Sequence, residues 1–228
     1  DQALTLEPQR VALFGYAHVP WMTAHQKLID EAALPGTVDR WRQFTVASAR
    51  LVAAGYVAVG LDHFARPDDA LAVALGHGRL HRNFQGYTVD GASVLLGFGA
   101  SAIGSLPQGY VQNVSPLKDY ARAIEAGTLA TVRGFALSPE DRVRADIIER
   151  LMCDLKVDLV SISRRHGVPA DGYDAELAAL APLQSDGVVI LDGRRIAMTE
   201  AGRPFVRLVA AAFDTYLQAG QARHSKAV

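Results

Sequence analysis

The chain has 228 residues, of which 50% are hydrophobic and 21% are charged, a composition typical of a soluble globular protein. Its 23 basic and 24 acidic residues nearly cancel, so no global field favours nucleic acid or an anionic membrane. No apolar run approaches the roughly 20 residues that a membrane span needs. The single cysteine, Cys153, excludes an internal disulfide and predicts a reducing, cytoplasmic location.

The first sixty or so residues predict a strand, a helix and a second strand. The apolar run 11–16 predicts a buried strand. Thr37 is placed to cap a helix, which should end at Gly55. The run 56–61 predicts the next buried strand. This order is typical of the last units of a parallel α/β barrel.

The middle of the chain predicts short and irregular elements. A short helix should begin with the acidic turn at 67–69. Residues 84–113 mix β-forming residues with glycine, which predicts irregular strands that approach a ligand or another segment closely, with a turn at Asp90-Gly91. Ser115-Pro116 should start a helix that Gly127 ends.

A second unit should begin near residue 133. Ser138-Pro139-Glu140-Asp141 predicts a capped helix start. Two further helices are predicted, then a hairpin around Asp192-Gly193 and a last helix that Thr199 caps and that reaches Tyr216. The two further helices are expected at 159–166 and 173–183. Three helices, a β-wing and a helix predict a winged-helix-like domain.

Ionisable and aromatic residues follow the strand at 56–61. Asp62-His63-Phe64-Ala65-Arg66 would lie at the carboxyl end of that strand, where α/β proteins build their sites. A salt-bridged connection is an equally good interpretation, with Arg66 paired to Asp62, Asp68 or Asp69. The residues alone do not separate these two interpretations.

Several motifs, in the same order, resemble the oxygen-independent coproporphyrinogen III oxidases (coproporphyrinogen dehydrogenases), radical S-adenosylmethionine enzymes of haem biosynthesis. The motifs are Gly15-Tyr16-Ala17-His18-Val19-Pro20, residues 62–69, residues 81–88, residues 95–103 and Tyr110-Val111-Gln112-Asn113. The resemblance continues weakly to the C-terminus and covers nearly the whole chain.

The resemblance implies a fold and a division of the chain. Residues 1–66 would be the end of a partial (β/α)6 TIM-like barrel, 67–132 an irregular segment lining the active site, and 133–228 a mostly helical, winged-helix-like domain. Such enzymes hold a [4Fe-4S] cluster with three cysteines spaced C-x3-C-x2-C, which this chain lacks. We therefore expect the chain to be the C-terminal part of a longer enzyme and to be inactive alone. If the gene encodes no cysteine triplet upstream of Asp1, this expectation is wrong.

The implied reaction is the conversion of two propionates of coproporphyrinogen III to vinyl groups, which gives protoporphyrinogen IX. The resemblance implies S-adenosylmethionine contacts at Ala17, through its backbone, and at Phe84, Gln85 and Ile103. Ordinary packing roles are the alternative for each of them. No residue is assigned as catalytic, and no electron donor or acceptor is assigned.

The histidines and arginines carry weaker signals. His77 and His81 are four apart, but Gly76 and Gly78 disfavour a continuous helix there, so no metal site is predicted. His18 and His63 each follow a strand and could line a pocket. Guanidinium clamps for the substrate's propionates are expected somewhere, but neither Arg66 nor Arg82 is assigned to that role.

Two rival functions remain. A winged-helix module could bind nucleic acid, but from Leu117 onward there are fifteen basic and fifteen acidic residues, without the basic excess that a binder shows. A haem-transfer relative would typically carry His-Asn-x-x-Tyr-Trp, and here no Trp follows Tyr87. Surface normally covered by the missing strands could drive self-association of the chain.

Overall fold

The computed structural model describes residues 1–217, which form eight α-helices and eleven short strands. The helices are α1 (Thr37–Ala53), α2 (Ala70–Gly76), α3 (Leu117–Glu125), α4 (Pro139–Asp154), α5 (Leu159–His166), α6 (Asp174–Ala179), α7 (Ala181–Ser185) and α8 (Val206–Ala211). The strands are β1 (Arg10–Ala12), β2 (Val57–Val59), β3 (His63–Ala65), β4 (His81–Asn83), β5 (Gly86–Thr88), β6 (Ile103–Leu106), β7 (Gly109–Asn113), β8 (Thr131–Ala136), β9 (Lys156–Asp158), β10 (Val189–Asp192) and β11 (Arg195–Met198).

The first sheet has the order β1-β3-β2, and β3 is antiparallel to both of its neighbours. The strands β1 and β2 are therefore parallel to each other, but β3 separates them, and this third strand was not predicted. The reason lies in the turn at Gly60, whose φ of +57° lets the chain fold back so that β3 inserts between them. All ladders among residues 1–217 are antiparallel, so the partial barrel stays a prediction about the longer relatives.

The predicted buried strand at 11–16 is also wrong in length and burial. The strand ends at Ala12, and the side chains of Phe14 and Tyr16 are exposed. Helix α1 begins one residue earlier than a Thr37 cap would require, because Gly36 occupies the cap position and Thr37 is the first helical residue. Its predicted end at Gly55 is confirmed, since that residue has φ +88° directly after the last turn.

The middle segment consists of the β4–β5 hairpin and the sheet β6-β7-β8. No strand covers 94–99; Leu95 makes only an isolated bridge to Ser105. The expected close approach of backbone is confirmed at Gly109, where an added Cβ would lie 1.9 Å from the carbonyl oxygen of Phe135. Helix α3 is confirmed between its predicted limits.

The C-terminal unit contains the larger core. The predicted cap at the start of α4 is confirmed, and Ser138 and Asp141 form a reciprocal capping box there. The elements then follow the expected order, except that the single helix predicted at 173–183 is wrong: it is divided at Leu180 into α6 and α7, where Pro182 lies in the first turn of α7. Strand β9 adds a third strand to the predicted hairpin. Its core consists mainly of aliphatic side chains from α4, α5, α8 and the sheet: Val143, Ile147, Leu151, Leu159, Ile162, Val189, Ile196, Val206, Val209 and Phe213.

The last helix is shorter than predicted. Thr199 Oγ1 accepts a hydrogen bond from Gly202 N and so closes a turn, and α8 starts only after Pro204. The proline disfavours helical geometry at the residue before it, which accounts for the delayed start. The winged-helix description and the three domain boundaries stay predictions, and residues 218–228 of the third range lie outside the described residues. Among residues 1–217, none of the helices is both long and apolar enough for a membrane crossing.

Candidate functional site

The β4–β5 hairpin presents Phe84 and Gln85 at its turn. Asn83 Oδ1 accepts a hydrogen bond from Gln85 N at 2.9 Å, which fixes the turn. The turn closes at Gly86, whose φ of +132° suits only glycine. The Phe84 ring is 50% exposed and meets Tyr110 edge-to-face, with the centroids 5.3 Å apart. Both predicted cofactor contacts therefore lie on an accessible tip and not in the core.

Helix α4 holds both strands of this hairpin. Glu149 Oε1 accepts a hydrogen bond from Arg82 N and lies 3.2 Å from His81 Nδ1. Arg150 Nη2 donates to the carbonyl of Leu80 at 3.0 Å. On β5, the Tyr87 hydroxyl donates to the carbonyl of Met152 at 3.0 Å. These contacts fix the hairpin to the C-terminal unit.

Tyr87 is the buried residue of the β4–β5 hairpin. Its oxygen accepts a hydrogen bond from Leu61 N at 2.9 Å, and its ring meets that of His63 edge-on. Burial raises the pKa of Tyr87 to about 12, so the phenol stays neutral. A Cβ on Gly60 would lie 2.0 Å from the ring, so glycine is required there for space as well as for φ.

The run 62–66 proves to be largely a structural connection. His63 Nδ1 lies 2.7 Å from Asp62 Oδ1. Burial alone would raise the pKa of Asp62, but the hydrogen bond and charge of His63 outweigh it and lower that pKa. The predicted ion pair of Arg66 is wrong: Asp69 pairs with Arg10 at 2.7 Å, and the Arg66 guanidinium lies over the Tyr56 ring. Asp69 instead caps α2.

A cavity of about 950 Å³ opens between the hairpin, the β6-β7-β8 sheet and α4. Aromatic and aliphatic groups form much of its wall, among them Phe84, Tyr110, Phe135, Leu137 and Ile148. Its carboxylates are Asp90, Asp141, Glu149 and Asp214, and its basic side chains are Arg82, Arg144 and His81. Because carboxylates outnumber guanidinium groups, this cavity suits a tetra-anionic porphyrinogen poorly.

The four predicted contact residues do not converge on that cavity, since only Phe84 lines it. Ala17 lies in an exposed loop, where its carbonyl accepts a hydrogen bond from Gln26 Nε2. Ile103 begins β6 opposite Gln112 and is partly exposed. None of the four side chains belongs to the buried core. Each is therefore accessible to a further segment that would complete a binding site.

The residues present do not fit an iron–sulfur cluster. Among residues 1–217, no three His, Cys, Asp or Glu side chains are grouped as metal ligands. Cys153 is fully buried, and burial raises its pKa to about 12, which keeps the thiol protonated. His77 and His81 have separate partners, the carbonyl of Val73 and Glu149. The exposed Phe84 ring and Gln85 turn fit an organic cofactor better, as one apolar and one polar contact.

The paired arginines of the C-terminal unit argue against nucleic-acid binding. Arg165 pairs with Asp146 at 2.7 Å, and Arg195 lies 3.4 Å from Asp158. Arg194 also has a carboxylate partner, Asp174. Carboxylates in contact with these guanidinium groups would have to be displaced before a phosphate could bind.

Glu149 and Tyr87 are the residues that sequence reasoning missed. In the sequence, Glu149 is indistinguishable from the other charged residues of an amphipathic helix, and Tyr87 is indistinguishable from other β-forming residues. Their partners lie 67 and 65 residues away, so no local pattern identifies them.

Residues 137–205 match the family described as the HemN C-terminal domain. The oxygen-independent coproporphyrinogen III oxidase of Bradyrhizobium diazoefficiens is 52% identical over 227 residues, which is 100% of this chain and 50% of that protein. The Escherichia coli enzyme of the same name is 42% identical over 214 residues, 93% of this chain and 47% of that protein. The chain thus spans about half the length of the curated relatives it matches.

A solved structure agrees with these matches. It is described as coproporphyrinogen III oxidase (HemN) from Escherichia coli, a radical SAM enzyme, and it superposes with a TM-score of 0.90 at 41% identity. The superposition covers 95% of this chain and 50% of that one. The resemblance seen in the sequence is therefore confirmed: the chain matches oxygen-independent coproporphyrinogen III oxidases over nearly its whole length and spans about half of theirs.

Proposed function

We propose that this chain forms the C-terminal half of a cytoplasmic enzyme that converts coproporphyrinogen III to protoporphyrinogen IX without oxygen. The observation that carries this proposal is the 52% identity to a protein of that name over 227 residues of this chain. The hairpin tip supports it, because an exposed aromatic ring and amide side chain have no role in the core. The cluster would be held by cysteines of the other half, in a partial barrel that this chain completes.

In the longer protein, the cluster and S-adenosylmethionine would supply the radical chemistry that converts a propionate to a vinyl group. The residues of this chain would bind the cofactor and exclude water from the site. Phe84 and Ile103 provide apolar contact for the adenosyl and methyl groups of the cofactor. Gln85 orients its polar atoms by hydrogen bonds, and the backbone at Ala17 reaches the adenine edge. Together they exclude water from a site in which stray hydrogen donors would be consumed.

The test is turnover by the reconstituted full-length protein. We expect the wild type to form 5′-deoxyadenosine and protoporphyrinogen IX, and Phe84→Ala and Ile103→Ala to lower kcat/KM by about tenfold or more, since each removes about 1–3 kcal/mol of apolar contact. Leu208→Ala is the matched control, because that side chain is exposed to a similar degree on α8, away from the hairpin.

The outcomes separate the proposal from its rivals. Wild-type turnover in both variants would remove the site assignment while leaving the activity intact. Tight haem binding by the wild type without decarboxylation would identify a haem-transfer protein instead.

A further inference from the structure

We propose that Glu149 is a positioning residue for the S-adenosylmethionine site, because it fixes the hairpin that carries Phe84 and Gln85. The inference rests on the proposed function and extends it to a residue of the C-terminal unit, on α4, that contacts no predicted cofactor residue.

The geometry of one carboxylate oxygen carries the inference. Glu149 Oε1 accepts from Arg82 N at 3.2 Å and lies 3.2 Å from His81 Nδ1, so a single atom serves both the backbone and a side chain of β4. In the β4–β5 ladder, Asn83 pairs with Gly86 and Arg82 with Tyr87. The anchored residue Arg82 is therefore only two positions from Phe84, so fixing Arg82 also restricts the position of Phe84.

The anchor is protected from water and reinforced by its neighbours. The Glu149 side chain is 30% exposed, and Arg150, next along α4, donates to the carbonyl of Leu80 directly before β4. Arg150 is itself held by Asp154 at 2.7 Å. A partly buried carboxylate that accepts a backbone N–H contributes more than a surface ion pair, since its removal leaves that donor without an acceptor.

The same helix offers a matched control. Asp146, one turn before Glu149, also accepts two contacts through a single oxygen, from Arg165 at 2.7 Å and His166 at 3.0 Å. Its side chain is 15% exposed. Because Asp146 joins α4 to α5 and does not touch the hairpin, its loss affects the stability of the unit without affecting the tip.

The experiment measures cofactor binding and local exchange in the full-length protein. For Glu149→Ala we expect the Kd for S-adenosylmethionine to rise about tenfold, the loss that removal of a charged acceptor produces. Amide exchange in the peptide 81–88 should accelerate at the same time. Glu149→Gln keeps an oxygen that accepts from Arg82 N, so its Kd should rise by no more than about threefold. Asp146→Ala should lower Tm with no change in Kd or in exchange at 81–88.

Two results would overturn the inference. One is an unchanged Kd in Glu149→Ala although exchange at 81–88 accelerates; the other is an equal rise of Kd in Asp146→Ala. If Glu149→Ala does not fold, a third result takes its place: a Kd for Glu149→Gln as high as that of Phe84→Ala would also overturn the inference, because glutamine keeps the acceptor for Arg82 N. Failure of the proposed function is distinct, because a wild-type protein that binds no S-adenosylmethionine would still show whether Glu149 protects the hairpin.

Discussion

Tyr87 joins three segments that are far apart in sequence. Its hydroxyl accepts from Leu61 N in the turn between β2 and β3 and donates to Met152 O in α4, while its ring packs against His63. Neither backbone group can reach water easily, since the tyrosine is 9% exposed. The hydroxyl thus satisfies one main-chain donor and one main-chain acceptor at the same time.

Tyr87→Phe should lower the free energy of unfolding by about 1–3 kcal/mol, because it leaves one donor and one acceptor buried without partners. Urea unfolding at neutral pH measures this loss. Tyr120→Phe is the control: that hydroxyl accepts only from Gly99 N, so the change should be smaller.

The pH dependence has a definite sign. The pKa of Tyr87 is raised from 10.0 to about 12 in the folded state, so its contribution is complete below pH 10 and is lost as the pH rises toward 12. The difference between wild type and Tyr87→Phe should therefore narrow above pH 10. A difference that widens there would show that the phenol is not held neutral.

Helix α4 combines three properties in one element. Its start is fixed by the capping box of Ser138 and Asp141, its apolar face carries the core of the C-terminal unit, and its last turns hold the hairpin. The cap at Ser138 and the apolar face were predicted from sequence and are confirmed, because caps and apolar periodicity are local. The third depends on which loop packs against the helix.

Ser138→Ala should destabilise the protein by about 1 kcal/mol, within the range measured for helix caps. The loss arises because Asp141 N no longer has its side-chain acceptor. Thermal unfolding measures it, with Ser185→Ala as the control, since that hydroxyl only donates to a carbonyl of α7. An equal loss in both variants would contradict a capping role.

At the scale of the molecule, the first 35 residues differ from the C-terminal unit. Their large apolar side chains are widely exposed, among them Leu6, Phe14, Met22 and Leu28. The C-terminal unit instead buries an aliphatic core of its own. An exposed apolar surface of this kind typically contacts another chain or segment.

We therefore expect the 228-residue chain to self-associate, as measured by light scattering over a concentration series. Phe14→Ser combined with Met22→Ser should reduce the association, because both side chains are at least three-quarters exposed and their loss leaves the core intact. Val160→Ser on α5 serves as the control. A monomer at all concentrations would contradict this expectation.

Local patterns in the chain were sufficient for α3, α4, α5 and the β10–β11 hairpin, because caps, glycine ends and apolar periods act within a few residues. The family resemblance also came from short motifs. Local patterns did not predict the pairing of β3 between β1 and β2 or the early end of the first strand. They also did not show that Phe84 lines the cavity while Ala17 does not. Strand order and burial depend on which segments pack together, and hydrogen bonds such as Arg82 to Glu149 form only after distant parts of the chain have met.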